Sequence, residues 1–416
     1  MNMMLGPDAG FLRPIYDSPD DDAPRLLYAD VLDEDNETAR AEFIRIQLAL
    51  AKLPAHDRRR IELTRREDRL LSHYAEEWGA PFRGLALGPV FRRGFVESVK
   101  VSARQFLSNA EPLFHAGPIR EVHLIDVGSH LRAVLQSPWL RKLNSLVIFG
   151  QHLGEPLARA VAECEHLKNL KRLHVARNEI GDRGVEQLVY APLLGQLDDL
   201  DVGENEIGEV GARILANGPR FTELKRLELG GNAIGTAGAE ALAGSEHLPK
   251  LQRLGLAGNR IGAPWPRGNA ARSQLLRVGT LDLAGNNLTM EALRGMLQHA
   301  GPAWIRELDL GNNDLGDDGA MLLARSESLA GLKVLKVTNN GIGDAGLRAL
   351  AESPHFARLT VLDVGNNPAG DEGVRAIVDS PRLANLRHLA CPAIGLSFRM
   401  RLALHTRYPH APSGNL

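Results

Sequence analysis

Apolar and polar residues along most of this chain follow a pattern that repeats every 27 residues. In each copy, two apolar residues are separated by one polar residue, and an asparagine stands three positions after the second of them. Leu173, Val175 and Asn178 form the first clear copy. The asparagines in this register are Asn178, Asn205, Asn232, Asn259, Asn286, Asn313, Asn340 and Asn367. A fixed period of about 20 to 50 residues is the sequence signature of a solenoid or repeat array.

Each copy changes its hydrophobic period partway through, which predicts two kinds of secondary structure. The first half alternates apolar and polar residues and predicts a short strand. The second half spaces apolar residues three and four positions apart and predicts a helix of about two turns. Glycines between the two halves, such as Gly181 and Gly184, are expected to permit the tight bend. One unit cannot bury its own apolar side, so stacked units are expected to share a continuous core.

This pattern resembles the leucine-rich repeat, in the helix-bearing variety of ribonuclease inhibitors and of the activating protein of the Ran GTPase. The resemblance implies a curved α/β solenoid, with a parallel sheet on its concave side and helices on its convex side. It also implies that the asparagines form a structural ladder, each amide bonded to backbone groups of the turn beside it. Such turns leave buried N–H and C=O groups without strand partners, and an amide can satisfy them.

The repeats are predicted to occupy residues 91–395. A small α-helical domain at 1–90 is expected before them, and a C-terminal capping helix and tail at 396–416 after them. Degenerate, shorter units are expected at 95–101 and 119–127.

The two ends of the array depart from the pattern, as expected for terminal repeats that cover an open core. Gln151 stands one period before Asn178, and its amide could play the same part. At the other end, Ile394 replaces the asparagine. Ser397 is a good N-cap for a closing helix over 397–408.

The first 90 residues lack the period and predict three amphipathic helices, near 23–32, 38–51 and 58–77, the first with Asp21 or Asp22 as its N-cap. The stretch over residues 11–55 resembles a small bacterial domain that accompanies such repeats, sometimes called a repeat-companion domain. The matching residues are Tyr28-Ala29-Asp30, Leu32-Asp33-Glu34 and Arg40-Ala41-Glu42-Phe43-Ile44-Arg45. This resemblance implies no activity.

The composition is that of an ordinary globular chain. Its 416 residues are 44% hydrophobic and 24% charged, with a net charge of −2, which gives no sign of disorder or a collagenous class. The chain has no apolar run of 18 residues and no secretory leader pattern at its start, so a cytoplasmic protein is expected. Its two cysteines, Cys164 and Cys391, lie too far apart in a repeat array for a disulfide, and two cysteines do not make a metal site.

Candidate chemistry is sparse. The acidic clusters at 20–22 and 33–35 lack the ligand spacing of an EF-hand and are better explained by helix capping and solubility. Six arginines between Arg58 and Arg69 could follow a phosphate backbone. Acidic residues are interleaved with them, which is typical of a salt-bridged exposed helix face. No catalytic or cofactor-binding motif is present, so the chain is predicted to be neither an enzyme nor a cofactor or metal protein.

The positions that flank the first apolar residue of each strand are expected to line the concave face. The residues predicted to bind a partner there are Arg172, His174, Asp199, Asp201, Arg226, Glu228, Arg253, Asp282, Glu307, Asp309, Lys336 and Asp363. They could be ordinary polar strand positions with cross-strand pairs such as Arg226 with Asp199. Alternatively, the like charges of Asp282 and Asp309 side by side could be relieved by a basic partner.

One repeat has two prolines around Trp265 where a helix is expected, which rules out a helix there. Trp265 could anchor a partner or fill the gap left by the missing helix. The predicted function is that of a non-catalytic scaffold that binds another protein through the concave face. The alternatives are a regulator that activates or inhibits a partner enzyme, such as a GTPase or nuclease, and nucleic-acid binding through the arginine-rich helix.

Overall fold

The computed structural model describes residues 9–54, 57, 59–262, 278–298, 304–391 and 395–408. The chain forms two compact units. Unit 1 comprises residues within 1–151 and 163–174, and unit 2 comprises residues within 152–162 and 175–416. The domain boundaries predicted at residues 90 and 395 stay predictions.

Unit 1 begins with four helices: α1 (Ala9–Asp17), α2 (Ala23–Glu34), α3 (Thr38–Lys52) and α4 (Arg59–Trp78). The three predicted helices are confirmed, with ends that differ by one or two residues. Helix α1 was not predicted, because Pro14 lies inside it and argues against a helix at the level of sequence. Of the two proposed capping residues, Asp21 accepts the Ala23 N–H at 2.9 Å.

The helices of unit 1 share an apolar core to which Ile15, Ala29, Leu32 and Ile44 contribute. These residues lie on one face of each helix, as their three- and four-residue spacing predicts. Beside this core, the guanidinium of Arg40 lies 4.6 Å from the Trp78 ring centroid. Burial lowers the Arg40 pKa to about 10, an effect that neighbouring acids and tyrosines oppose.

The residues that resemble the companion domain have structural roles. Arg45 donates to Asp30 and to Asp33, each at 2.6 Å, and so joins α3 to α2. Ala29 and Ala41 are fully buried between the helices. The acidic cluster around Asp33 is therefore a partner for arginine.

The rest of unit 1 alternates strands with helices. Its elements are β1 (Leu87–Arg92), β2 (Phe95–Ser102), α5 (Ala103–Ala116), β3 (Glu121–Ile125), α6 (Leu131–Leu135), β4 (Ser145–Val147) and β5 (Arg172–His174). Strand β1 pairs antiparallel with β2, and β2 to β5 pair in chain order and parallel. Both degenerate units predicted from the sequence therefore contain strands.

The hairpin between β1 and β2 requires glycine at its second turn residue. Arg93 and Gly94 both have positive φ, +50° and +89°, as in the two-residue turns that suit twisted strands. A Cβ on Gly94 would lie 2.4 Å from the Cγ1 atom of Ile44. The Gly94 N–H donates to the Gln47 side chain at 2.6 Å, so the turn is fixed against α3.

Unit 2 contains the regular repeats. Its helices are α7 (Glu155–Ala162), α8 (Gly181–Tyr190), α9 (Glu209–Asn217), α10 (Gly235–Ala243), α11 (Met290–Gln298), α12 (Gly316–Ala324), α13 (Asp344–Glu352), α14 (Asp371–Asp379) and α15 (Phe398–Arg407). Its strands are β6 (Asp199–Asp201), β7 (Arg226–Glu228), β8 (Arg253–Gly255), β9 (Thr280–Asp282), β10 (Glu307–Asp309), β11 (Val334–Lys336), β12 (Val361–Asp363) and β13 (His388–Ala390). These strands pair in chain order and parallel. The predicted α/β repeat architecture is confirmed.

The central leucines of the strands are aligned. Leu200 pairs with Leu227, and the same register continues to Leu362 and Leu389. Each of these leucines is at most 2% exposed. The 27-residue period therefore places one apolar residue per repeat in the same row of the core.

The eight asparagines are buried, with exposed fractions of 6% or less. Asn313 shows the arrangement. Its Oδ1 accepts from the N–H groups of Asn286 and Leu288 in the preceding repeat, at 3.0 and 3.1 Å. Its Nδ2 donates to the carbonyls of Leu283 and Leu310, each at 2.9 Å. One amide thus satisfies turn groups of two successive repeats.

Glycines in the helices have a different role from the one expected. Gly346 and Gly373 lie inside helices with ordinary φ, so they do not form the bend. A Cβ on Gly373 would lie 2.7 Å from Oδ1 and 2.8 Å from Cα of Asp344 in the preceding helix. These glycines are needed because adjacent helices approach closely. Gly181 does permit the bend between strand and helix, as expected, because its φ is +60°.

An aspartate in one helix caps the next helix. Asp344 in α13 accepts from the N–H groups of Gly370 and Gly373 at the start of α14, each at 2.8 Å. Asp317 bonds Gly343 and Gly346 in the same way, at 2.7 and 2.9 Å. This carboxylate satisfies backbone donors that have no partner within their own helix.

Replacement of Asp344 by alanine is expected to lower the free energy of unfolding by about 1 kcal/mol, the usual contribution of a capping side chain. Two backbone N–H groups of α14 lose their acceptor in this variant. Urea unfolding followed by circular dichroism measures the change. Asp379→Ala is the control, because Asp379 is an exposed acid at the opposite end of α14. An equal effect of the two substitutions would contradict the capping role.

The ends of the array were partly predicted. Gln151 accepts from the Val127 N–H and donates to the Leu124 carbonyl, both at 2.7 Å, as an asparagine does elsewhere. Ser397 caps α15 through a hydrogen bond from the Met400 N–H at 3.2 Å. The apolar side chain of Phe398 is 80% exposed, against the expected polar face. Ile394 and Trp265 lie outside the described residues.

Candidate functional site

The strand face of unit 2 consists of the first and third residues of strands β6 to β13. These residues flank the buried central leucine of each strand, so their side chains leave the core. Most of them are half-buried, and Arg226 and Lys336 are exposed. The face includes all of the predicted partner-binding residues except Arg172 and His174, which lie on β5 in unit 1.

Acidic side chains predominate on the strand face. It carries three cationic side chains, those of Arg226, Arg253 and Lys336, and one histidine, His388. Its carboxylates are Asp199, Asp201, Glu228, Asp282, Glu307, Asp309 and Asp363. A face with this excess of negative charge favours a partner with positive charge.

The amino-terminal part of the strand face is internally paired. Arg226 lies 3.6 Å from Asp199, the cross-strand pair that the sequence predicts. Arg253 donates to Glu228 at 2.7 Å. The Glu228 carboxylate lies over Gly255. A Cβ atom on residue 255 would be 1.7 Å from Oε2 of Glu228, so this position of the carboxylate requires glycine. These charges are already compensated by neighbours.

Asp199 does not fit the predicted role. It is 8% exposed, so a partner could reach little of it. The reason is its position at the start of β6, next to Arg226, whose long side chain pairs with it. Asp199 is therefore removed from the candidate contact residues.

Two carboxylates face each other in the middle of the strand face. Asp282 pairs with Asp309 in the register of β9 and β10, so the predicted adjacency of like charges is confirmed. Burial raises the pKa of Asp282, and the neighbouring Asp309 raises it further. Lys336 contacts Asp309 at 3.2 Å. Among the described residues, no ion pair of 4.0 Å or less involves Asp282.

The aspartates of the third strand position also have a structural role that was not predicted. Asp282 Oδ1 accepts from the Ala284 N–H at 3.0 Å, and Asp309 Oδ1 accepts from the Gly311 N–H at 3.0 Å. Asp201 and Asp363 make the same bond. One oxygen of each carboxylate therefore closes the turn after the strand, a common role of aspartate in turns.

The two predicted residues in unit 1 belong to a different arrangement. Arg172 lies 3.4 Å from the Glu121 carboxylate, which also binds Arg92 at 2.9 Å. Burial of Glu121 opposes its ionisation, but hydrogen bonds from His123, Arg92 and Ser98 lower its pKa well below the usual range. His174 is half-buried. Arg172 therefore has an acidic partner within its own unit.

The arginine-rich helix α4 uses several arginines internally. Arg60 donates to the carbonyls of Leu50 and Leu53 at 2.6 and 3.0 Å, and Arg66 donates to Glu42 of α3. The salt bridges shown for the described arginines of α4 are Arg59 with Asp57 at 2.8 Å and Arg66 with Glu42, so they are made to acids outside the helix and not along its face as expected. Among the described residues, no group of three or more His, Cys, Asp and Glu side chains could hold a metal ion.

Neither cysteine is a candidate nucleophile. Burial raises the pKa of Cys164, whose thiol donates to the Leu135 carbonyl. Burial also raises the pKa of Cys391 to about 12. A thiol is reactive as its thiolate, so both cysteines are unreactive at neutral pH. In the part of the chain that the structure describes, binding is better supported than covalent chemistry.

Comparison with known proteins identifies the repeating unit. A family model described as Leucine Rich repeat matches residues 166–189, 222–243, 302–324, 332–351 and 359–378. These segments are similar to leucine-rich repeats. No curated protein matches the sequence.

Two solved structures illustrate the likeness of fold. An internalin (inlF) from Listeria monocytogenes is 20% identical, with a TM-score of 0.35; the match covers 69% of this chain and 94% of the internalin. The structure of a TLR13–ssRNA13 complex contains a chain that is 16% identical, with a TM-score of 0.39. That match covers 73% of this chain and 44% of the TLR13 chain. Within the described residues, no helix is long and apolar enough to span a membrane.

Proposed function

We propose that this protein is a non-catalytic scaffold that binds another protein through the strand face of unit 2. The observation that carries the proposal is the pair Asp282 and Asp309. Like charges directly opposite each other on adjacent strands destabilise a sheet by a few tenths of a kcal/mol or more. The position is therefore costly for folding, and a bound cation from a partner would relieve it.

The chemistry of the face indicates the chemistry of the partner. Asp282 and Asp309 each use one oxygen to close a turn. The second oxygen of Asp282 is left for a donor, and that of Asp309 is contacted by Lys336 at 3.2 Å and can accept a further hydrogen bond. A lysine or arginine side chain placed between them would gain two charge-assisted hydrogen bonds. The partner is proposed to present a basic segment. The valines at the start of β11 and β12, Val334 and Val361, supply apolar contact beside it.

The subtype of the repeats belongs to the same proposal. The repeats each carry a helix of nine or ten residues where the structure describes one, from α8 to α14. This supports the ribonuclease-inhibitor-like variety. The four helices of unit 1, with their Arg45 clamp to Asp30 and Asp33, support a repeat-companion domain. Neither resemblance adds an activity.

A charge reversal tests the proposal. The variant Asp282→Lys/Asp309→Lys is expected to lose at least 90% of the partner captured from a lysate of the native host, because two attractive contacts become repulsive. Capture on immobilised protein, followed by quantitative mass spectrometry, measures the loss. Circular dichroism of both proteins shows that the variant is folded.

The matched control places the same charge change away from the strand face. Glu352→Lys/Asp379→Lys alters two exposed acids on helices α13 and α14. It is expected to capture as much partner as the unchanged protein. If both double variants bind equally, the strand face is not the binding site.

A further inference from the structure

A cavity of about 450 Å³ is lined by residues of unit 1 alone. Five arginines line it: Arg60, Arg92, Arg93, Arg120 and Arg172. They come from α4, from the β1–β2 turn and from the amino ends of β3 and β5. A volume in this range is typical of sites for small molecules.

The carboxylates of the cavity leave an excess of positive charge. Asp20, Glu67 and Glu97 also line it. Each already accepts from a neighbour: Asp20 from Arg120 at 3.0 Å, Glu67 from Gln47 at 2.8 Å, and Glu97 from Arg93 at 3.0 Å. Five guanidinium groups and three carboxylates line the cavity, so the lining itself has an excess of positive charge. Glu121, which lies outside the lining, offsets part of this excess through Arg92 and Arg172.

Neighbouring acids hold the arginines in place. Arg92 and Arg172 share Glu121, at 2.9 and 3.4 Å. Arg93 and Arg120 share Asp20, at 3.9 and 3.0 Å. This pairing fixes the side chains before any ligand arrives, which reduces the entropy cost of binding.

Some donors of these arginines have no acceptor. The Nε atoms of Arg120 and Arg172 are buried, and neither has a hydrogen-bond partner among the described residues. Buried donors are usually satisfied, and an unsatisfied one calls for an explanation such as a bound ion. Both donors belong to guanidinium groups that line the cavity, so an anion bound there could accept from them after a small movement of the two side chains.

We propose that this cavity binds the phosphate group of a phosphorylated small molecule. A phosphate dianion is attracted by the excess of positive charge, and its tetrahedral oxygens can accept from guanidinium groups on several sides. A carboxylate is planar and suits a single guanidinium better. Leu50, Ala51 and Phe91 form an apolar part of the lining, which can contact the organic part of the ligand.

The test uses the full chain and defined probes. Isothermal titration calorimetry with phenyl phosphate, inorganic phosphate and benzoate is performed at constant ionic strength in chloride. Phenyl phosphate is expected to bind more tightly than inorganic phosphate, because its ring can contact the apolar wall. Benzoate is expected to bind at least tenfold more weakly than phenyl phosphate.

A variant locates the site. Arg120→Gln/Arg172→Gln is expected to weaken phenyl phosphate binding by tenfold or more, since it removes charge-assisted donors. Arg213→Gln on α9, an exposed arginine paired with Glu209 in unit 2, is the control and is expected to bind as before. Each single variant, Arg120→Gln and Arg172→Gln, replaces the double variant if the latter does not fold.

Three results would overturn the proposal. They are no heat of binding with either phosphate probe, equal affinity for benzoate and phenyl phosphate, and equal affinity of the cavity variants and the unchanged protein. None of them bears on partner capture by the strand face, so the two proposals fail independently.

Discussion

Replacing Asn313 by alanine is expected to lower the free energy of unfolding by about 3–4 kcal/mol, at the upper end of single substitutions. The Asn313 amide accepts from two buried N–H groups and donates to three buried carbonyls. Alanine leaves the two N–H groups without an acceptor in a site too buried for water to replace it. The three carbonyls, those of Leu283, Leu310 and Gly311, each keep a second donor from a neighbouring repeat. Each unsatisfied buried group costs about 1–3 kcal/mol before the chain relaxes.

The neighbouring asparagine provides a matched control. Asn312 is exposed, has a φ of +58°, and accepts one hydrogen bond from Asn339 at 2.8 Å. Asn312→Gly removes an amide without straining the backbone, because glycine adopts positive φ readily and stands at this position in other repeats, such as Gly285. Its effect is expected to be below about 1 kcal/mol.

Urea unfolding and amide hydrogen exchange measure the two variants. Because repeats contact mainly their neighbours, exchange is expected to rise most around β9 and β10 in Asn313→Ala. Equal stability of Asn313→Ala and Asn312→Gly would show that the ladder contributes little to the stability of the array.

The asparagines were predictable because one side chain per repeat makes the hydrogen bonds that satisfy the buried turn. Asn178 and Asn367 stand at the two ends of the register, and the amide of each donates to carbonyls of its own turn, so spacing alone identifies them. The capping aspartates are harder to predict from the sequence. Asp344 acts on Gly370 and Gly373, 26 and 29 residues away, and this bond depends on how closely two helices pack. The recurring glycine-aspartate sequence was the signal, but its partner lies in the next repeat.

The residues of the strand face could be predicted from the sequence, but most of the partners of their side chains could not. Alternation along each strand identifies the residues that leave the core. It does not show that one oxygen of Asp282 accepts a hydrogen bond from the nearby Ala284 N–H. Nor does it show that Asp199 is buried next to Arg226. Those outcomes depend on side-chain rotamers and on neighbouring strands.

The arginine cavity could not be predicted from spacing. Arg92 ends β1 and Arg93 lies in the turn that follows it. Their acidic partners, Glu97 in β2 and Glu121 at the start of β3, belong to the degenerate units, where the period is weakest. The cavity forms from segments that are separate in sequence, so only the folded unit brings its guanidinium groups together.

The burial of Arg25 was not predicted, although its spacing to the apolar residues of α2 indicates it. Arg25 precedes Tyr28, Ala29 and Leu32 by three, four and seven residues, so it lies on the apolar face of α2. The structure buries it completely. Its guanidinium donates to Glu97 at 2.6 Å and to the Pro19 carbonyl at 2.9 Å. Burial lowers the Arg25 pKa to about 10, against the opposing effect of Glu97, so Arg25 stays charged at neutral pH.

Replacing Arg25 by methionine is expected to destabilise unit 1 by about 3–5 kcal/mol at neutral pH, the usual cost of removing one partner of a buried ion pair. Glu97, which is 4% exposed, keeps Arg93 as its cation at 3.0 Å. The methionine restores apolar volume but not charge. Unfolding by urea, followed by Trp78 fluorescence and circular dichroism, measures the loss.

The loss should depend on pH in a defined direction. Burial already raises the pKa of Glu97 above its ordinary value, and removal of Arg25 is expected to raise it further. The folded state then holds a proton that the unfolded state releases, so stability falls as pH rises from the ordinary pKa towards the raised one. Arg25→Met should therefore be closer in stability to the unchanged protein at pH 4.5 than at pH 7.5.

A second substitution separates charge from packing. Arg25→Met/Glu97→Gln is expected to recover part of the stability lost in Arg25→Met, because the buried carboxylate that has lost one of its two arginine partners is removed, and to lose the added pH dependence. If the double variant is no more stable than Arg25→Met at pH 7.5, the cost comes from the contacts of Arg25 with Pro19 and Phe95 rather than from the buried charge of Glu97.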